Sequence, residues 1–199
     1  MDMFSPKSFS CETERLCLRP LTDGDEALFH ALYTDPETMR FIGTPLTGEQ
    51  VTRRFRKTLG DMHRQPFKCL FLAILEKASQ LPLGICGMPQ FTADAVRQEV
   101  GLVLVRQARS KGIAREGLAA LVNRIFAMSS VEEVWARFST ENLAAQQLVV
   151  AVGFHACDEV LLGQELSSKC HWSVRRSSWR VAESNQLQGV PDVERDRFP

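Results

Sequence analysis

In QEVGLVLVRQARSKGIAREG (residues 98–117), an apolar run passes through a short loop straight into a helix. From Val100 to Val105 every residue is Val or Leu apart from Gly101, so one strand is expected over 98–105. From Ala114 onward Leu118, Leu121, Val122, Ile125 and Phe126 keep three- and four-residue spacing, the mark of a helix with one buried face. A helix entered this way leaves its first N–H groups without partners, and its dipole favours an anion at the same end. Gly112 adds close access to the backbone, because no Cβ stands in the way. Arg109, Ser110, Lys111 and Arg115 supply charge or hydroxyl donors around it. A diphosphate is the expected occupant, set against the plainer reading of a solvated strand–loop–helix joint. The loop is not G-x-G-x-x-G, and no acidic residue follows at the spacing of a dinucleotide fold.

Upstream, Leu16 and Leu18 alternate with charged or small neighbours, as in a first strand. Thr22 with Asp25, and Thr47 with Gln50, are capping-box pairs that open two helices. The first carries Leu28, Ala31 and Leu32; the second carries Val51, Phe55, Leu59 and Met62. DPETMRFIG (35–43) reads as a turn or short helix between them. KCLFLAIL (68–75) and LPLGICGM (81–88) read as a hairpin across a polar break. Downstream, EVWARFS (133–139) is a strand, 142–152 a helix closed by Gly153, and 157–175 a final strand pair. This order makes an α/β (α+β) protein with a central, mostly antiparallel sheet of about six to seven strands. The domain spans 12–180, with a short arm at 1–11 and a polar tail at 181–199.

The chain of 199 residues suits one domain with its own core. Lys plus Arg and Asp plus Glu both number 24, so nothing draws the whole molecule to a nucleic acid. The basic run Arg53, Arg54, Arg56 and Lys57 reads as a solvated helix face, with an acidic acceptor or RNA as the rarer alternative. The six cysteines form no C-x-x-C pair and no zinc spacing, so no metal is expected, and Cys17, Cys69 and Cys86 sit in apolar runs. Neither a secretory h-region nor a membrane-length apolar run is present, which points to a cytoplasmic protein with free thiols.

Two blocks together resemble the GCN5-related N-acetyltransferase (GNAT) superfamily. Arg109 to Ala114 looks like its coenzyme signature, [Q/R]-x-x-G-x-[G/A], and Asn142 to Gly153-Phe154 like its following N-x-x-S…G-F block. TERLCLRPLTDGD (13–25), TDPETMRFIG (34–43) and HWSVRRSSWR (171–180) look like the branch that acetylates ribosomal-protein N-termini, the RimJ/RimL type. The resemblance implies a three-layer fold with helices on both faces of a splayed sheet. It implies acetyl-CoA as co-substrate, with the pantetheine arm in the gap between 99–105 and 133–139, paired with the backbone of Leu102, Val103 and Leu104. The diphosphate would rest on the N–H groups of 109–115, Ile113 included, and Asn142 would hold the arm, cap the next helix, or do both.

In this family an amine attacks the thioester directly within a ternary complex, so an ammonium must first lose a proton. Glu99 is the candidate base or else an edge-strand glutamate, and Glu141 is the weaker alternative. The family's usual Ser and Tyr, either of which protonates the departing thiolate, are replaced by Ala145 and Val149, so no general acid is assigned. That loss keeps open a relative that binds coenzyme A without turnover, as well as one that transfers another acyl group. The resemblance implies an amine acceptor, a small molecule or a protein N-terminus, and leaves room for a homodimer.

Overall fold

A computed structural model describes residues 5–92, 94–157 and 168–180. In chain order the strands are β1 (Cys11–Glu12), β2 (Leu16–Pro20), β3 (Leu70–Glu76), β4 (Pro82–Met88), β5 (Arg97–Glu99), β6 (Gly101–Leu104), β7 (Glu133–Ser139), β8 (His155–Ala156) and β9 (Lys169–Arg175). The helices are α1 (Glu26–Tyr33), α2 (Pro36–Met39), α3 (Gly48–Met62), α4 (Ile113–Met128) and α5 (Leu143–Val152). The strands form two sheets, an antiparallel one in the order β1-β2-β3-β4-β6 and a second in the order β5-β7-β9-β8. In the second only β5 and β7 run parallel.

Both expected capping boxes are present. The Thr22 N–H donates to Asp25 Oδ2 at 2.8 Å, and the Thr47 N–H donates to Gln50 Oε1 at 2.8 Å. These local bonds satisfy donors that each helix start leaves open. Val51, Phe55, Leu59 and Met62 of α3 are buried, as their spacing requires. The α5 helix ends at Gly153, whose φ of 100° is a left-handed conformation that costs glycine little.

One side of the first sheet carries α4. A Cβ on Gly117 would stand 3.3 Å from Ile74 Cδ1, so that helix lies close against the sheet. The other side carries α1: Arg19 alternates with the buried Leu18 and reaches Asp25, at the start of α1, with two bonds of 2.7 and 2.9 Å. At its far end α4 is held by Arg176, which donates to Phe126 O at 2.5 Å and Ser129 O at 2.7 Å. Those are carbonyls that a helix C-terminus leaves unpaired.

The single strand expected over 98–105 is in fact two, and they belong to different sheets. Arg97, Gln98 and Glu99 pair with Glu133, Val134 and Trp135 of β7. Val100 then donates its N–H to Trp135 O at 2.8 Å, and from Gly101 the chain pairs with β4. A Val- and Leu-rich run says only that the backbone is extended and buried. Which neighbour it pairs with is decided by the rest of the fold.

The segment read as an arm packs into the core where it is described. Phe9 is fully buried, with its ring centroid 6.2 Å from Phe67 and 6.0 Å from Phe91, and Cys11–Glu12 is strand β1. Residues 1–4, most of the connection between the last two strands (158–167) and the tail at 181–199 lie outside the described residues. None of the six cysteines is in a disulfide, and burial pushes the Cys11 thiol up to about 12. Among the described residues no helix is long and apolar enough to cross a membrane.

Gly87 has no room for a side chain, since a Cβ there would stand 2.1 Å from Leu70 O and 2.8 Å from Phe71 Cα. Gly87→Val is expected to destabilise the protein by about 2–3 kcal/mol, lowering the thermal midpoint by roughly 5–10 °C. A midpoint equal to wild type would mean that β3 and β4 are not in this register. A pH effect follows from Asp25. Burial would raise its carboxyl, but bonds from Arg19 and Thr22 outweigh that and hold it below its ordinary value. The native pKa is thus lower than the unfolded one, so the stabilisation is complete above about pH 4 and lost as pH falls further. Urea titrations should show Asp25→Asn less stable at neutral pH, with a flatter decline below pH 4; parallel curves would contradict this.

Candidate functional site

The turn at 109–112 is built to present backbone amides. Ser110 and Gly112 both adopt left-handed conformations, with φ of 60° and 76°. The first bond of α4 is from the Glu116 N–H to Gly112 O at 3.1 Å, so the N–H groups of Ile113, Ala114 and Arg115 precede the helical ladder. Those of Ser110, Lys111 and Gly112 likewise meet no acceptor within the described residues. Ser110, Lys111, Gly112 and Arg115 are exposed, Ala114 is half-buried, and the buried Ile113 side chain anchors the turn. Six unpaired amides at a helix N-terminus, with no Cβ at Gly112, make a seat for an anion.

Two clamps hold this turn. On one side Arg15 donates to Lys111 O at 3.0 Å and pairs with Glu116 at 2.6 Å, while Thr13 donates to the same carboxylate at 2.5 Å. Burial would raise the Glu116 carboxyl, but these bonds together keep it below its ordinary value and therefore ionised. On the other side Arg106 meets Asp35 at 2.7 Å and Glu37 at 2.7 Å, and the Arg106 guanidinium, with help from Thr38, holds the Asp35 carboxyl well below the usual carboxylate range. Arg109 donates to Thr38 Oγ1 at 2.6 Å and to Leu104 O at 3.3 Å. Its guanidinium was expected beside the anion; it is instead turned back to tie the loop to α2.

Past Trp135, residues 136–139 of β7 keep β9 as a partner and lose β5, while β6 pairs with β4. The two sheets therefore part between β6 and β7, giving the expected splay. Val105 donates to Leu83 O at 3.0 Å and Val103 stands opposite Ile85, so odd-numbered residues of this strand turn their peptide groups toward β4. By alternation Leu102 and Leu104 direct theirs into the gap. Of the three residues expected there, Val103 turns its peptide groups the other way. Gly101 opens more space, because nothing lies within 4 Å of where its Cβ would stand.

Asn142 caps α5, its Oδ1 accepting from the Ala145 N–H at 3.1 Å. Its amide N–H groups have no partner within the described residues, so it can cap and donate at once. Glu99 lies at the end of β5, its side chain one-fifth exposed and 3.6 Å from the Arg137 guanidinium. Trp135 and Arg137 are on the same face of β7, and the Trp135 ring lies 5.6 Å from that of His171. Glu141 is exposed on the loop before α5, and Val149 is buried. Sequence reading missed Arg15, Glu116 and Arg137. For the first two no local signal exists, because 101 residues separate them. For Arg137 the strand alternation with Trp135 was a usable signal, once the Glu99–Trp135 register was known.

The comparisons with known proteins agree with this geometry. The family model described as "Acetyltransferase (GNAT) domain" matches residues 15–155. An uncharacterized N-acetyltransferase, p20 of Bacillus licheniformis, is 25% identical over 143 residues, which are 71% of this chain and 80% of that protein. Among solved structures, spermidine N-acetyltransferase from Vibrio cholerae, in complex with CoA and spermine, is 16% identical with a TM-score of 0.69, covering 82% of this chain and 96% of that one. RimL, the ribosomal L7/L12 alpha-N-protein acetyltransferase in complex with coenzyme A, is 12% identical with a TM-score of 0.68, covering 82% and 98%. At such identities the solved structures speak for the fold. With the family model covering the splay, the amide turn and α5 together, the chain belongs to the GNAT acetyltransferases.

Proposed function

We propose that this protein transfers an acetyl group from acetyl-CoA to an amine by direct attack, with both substrates bound. The observation that carries the reading is the set of six unpaired amides at 110–115, which stands where β6 leaves the splay and enters α4. The coenzyme's diphosphate would take those amides. Its pantetheine arm would add to the edge of β6 through the peptide groups of Leu102 and the N–H of Leu104, whose carbonyl accepts from Arg109, as a strand adds to a sheet edge. The Nδ2 of Asn142 would donate to the same arm. That related folds are found with CoA bound supports this choice of anion.

Glu99 is the proposed base. An alkylammonium with a pKa of about 10 is mostly protonated at neutral pH, and a carboxylate beside the thioester can take its proton through hydrogen-bond contact or one water. The C–S bond breaks with the electron pair on sulfur. A thiol of pKa about 8.5 leaves as thiolate without needing a dedicated acid, which suits a site with Ala145 and Val149. The acceptor is a small amine or a protein N-terminus, and the stretches at 13–25, 34–43 and 171–180 resemble the RimJ/RimL branch. Cysteines outside any disulfide fit a cytoplasmic enzyme.

Gly112→Asp should weaken CoA binding at least tenfold by calorimetry. The new carboxylate would face the diphosphate, and its Cβ would stand 3.2 Å from Arg15 Nη2, close enough to draw that arginine over the seat. Unchanged affinity would remove the diphosphate from this turn. Glu99→Gln should lower kcat by roughly 10²-fold or more near neutral pH and abolish the acidic limb of the pH–rate profile, the fall in rate that comes with protonating a carboxylate base. An identical profile would exclude Glu99 from the role.

A further inference from the structure

The arginines that build this fold are saturated by short contacts. Arg15 meets Glu116 at 2.6 Å, Arg19 meets Asp25 at 2.7 Å and Arg106 meets Asp35 at 2.7 Å. Arg137 differs. Its single carboxylate neighbour among the described residues, Glu99, is 3.6 Å away, beyond hydrogen-bond distance, and its side chain is 40% exposed. It holds its place by lying over the Trp135 ring, 5.9 Å from the centroid. It is also the first residue on that face of β7 after pairing with β5 ends, so it stands at the lip of the splay.

We propose that the acceptor is a small amine that also carries a carboxylate on a short spacer, as in an α-amino acid, with Arg137 holding the carboxylate while Glu99 receives the amine. The proposal rests on the acetyl-transfer reading above and takes the small amine, not the protein N-terminus, as the acceptor. A half-exposed ion pair without a hydrogen bond is weak, so an incoming carboxylate that offers Arg137 two parallel short bonds displaces it readily. Displacement leaves Glu99 facing the acceptor's nitrogen. Because the two side chains are adjacent, the groups they bind must be adjacent too. Trp135, with His171 behind it, supplies a flat apolar wall for the acceptor's carbon skeleton. The same arginine repels a second positive charge, so polyamines are disfavoured. In the transfer the nitrogen–carbon bond forms and the carbon–sulfur bond of acetyl-CoA breaks with the electron pair on sulfur; of the two protons that the ammonium gives up, Glu99 takes one and the other passes through water to the thiolate.

The test measures thiol release from acetyl-CoA with matched acceptors: α-amino acids of apolar, aromatic and acidic side chain, each with its carboxamide and its decarboxylated amine, and spermidine. Wild type should favour the acid in at least one set by about tenfold or more in kcat/KM. Arg137→Gln should raise KM for that acid by a similar factor while leaving its carboxamide within about twofold, and Arg137→Lys should restore part of the preference. Carboxamides or amines used as well as acids, spermidine used best, or a preference untouched in Arg137→Gln of wild-type thermal midpoint would each overturn the proposal. Should no acceptor be acetylated although CoA binds by calorimetry, the proposal fails and the coenzyme assignment stands. Should CoA not bind either, the reading beneath it fails as well.

Discussion

The structure turns on a change of partner at Val100. Up to Glu99 the chain pairs with β7; after Val100 donates to Trp135 O, it pairs with β4 instead. A strand has two edges, and one that pairs with β4 on one edge while leaving β7 on the other must expose peptide groups somewhere. Here they are those of Leu102 and the N–H of Leu104, inside the wedge between the sheets, while the Leu104 carbonyl accepts from Arg109. Buried peptide groups without partners are costly, so such an edge persists only where water or a ligand can reach it. The wedge is therefore a place where a binding partner gains hydrogen bonds that the fold has left open.

The polar clamps around that wedge answer a second constraint. A turn with two residues in left-handed conformations and six idle amides has little internal reason to hold its shape. Arg15 with Glu116 and Thr13 fixes its helical side, and Arg106 and Arg109 with Asp35, Glu37 and Thr38 fix its strand side. Both clamps use side chains at or near element ends, where backbone positions are already set by the sheets and capping boxes. The amides are thus pre-organised, and binding an anion need not order the loop first. The second clamp also ties the amide turn to α2, so the turn and the segment between α1 and α3 share one set of contacts.

Much of the fold was legible because its signals are local. Thr22 with Asp25, Thr47 with Gln50, Gly153 after α5, and the spacing in α3 and α4 each depend on residues within a turn or two. Around the candidate site, the turn into α4 at Gly112 and the Asn142 cap were legible, because backbone chemistry sets them. Side-chain contacts that reach across the fold were not. Arg109 looked free beside the anion seat, yet its partners lie 71 and 5 residues away. Val103 looked equivalent to its neighbours until pairing with β4 assigned the direction of its peptide groups.

From the amino-acid order alone came the elements, their helix caps, the amide turn and the family to which they belong. The elements, caps and turn follow from short-range periodicity and from backbone donors left over at a helix start, which neighbouring residues suffice to specify; the family followed from the likeness of the motif blocks. The partner switch at Val100, the two clamps and the Glu99–Arg137–Trp135 face were decided in three dimensions. Each joins residues tens of positions apart, and strand register, which no local pattern encodes, determines whether they meet.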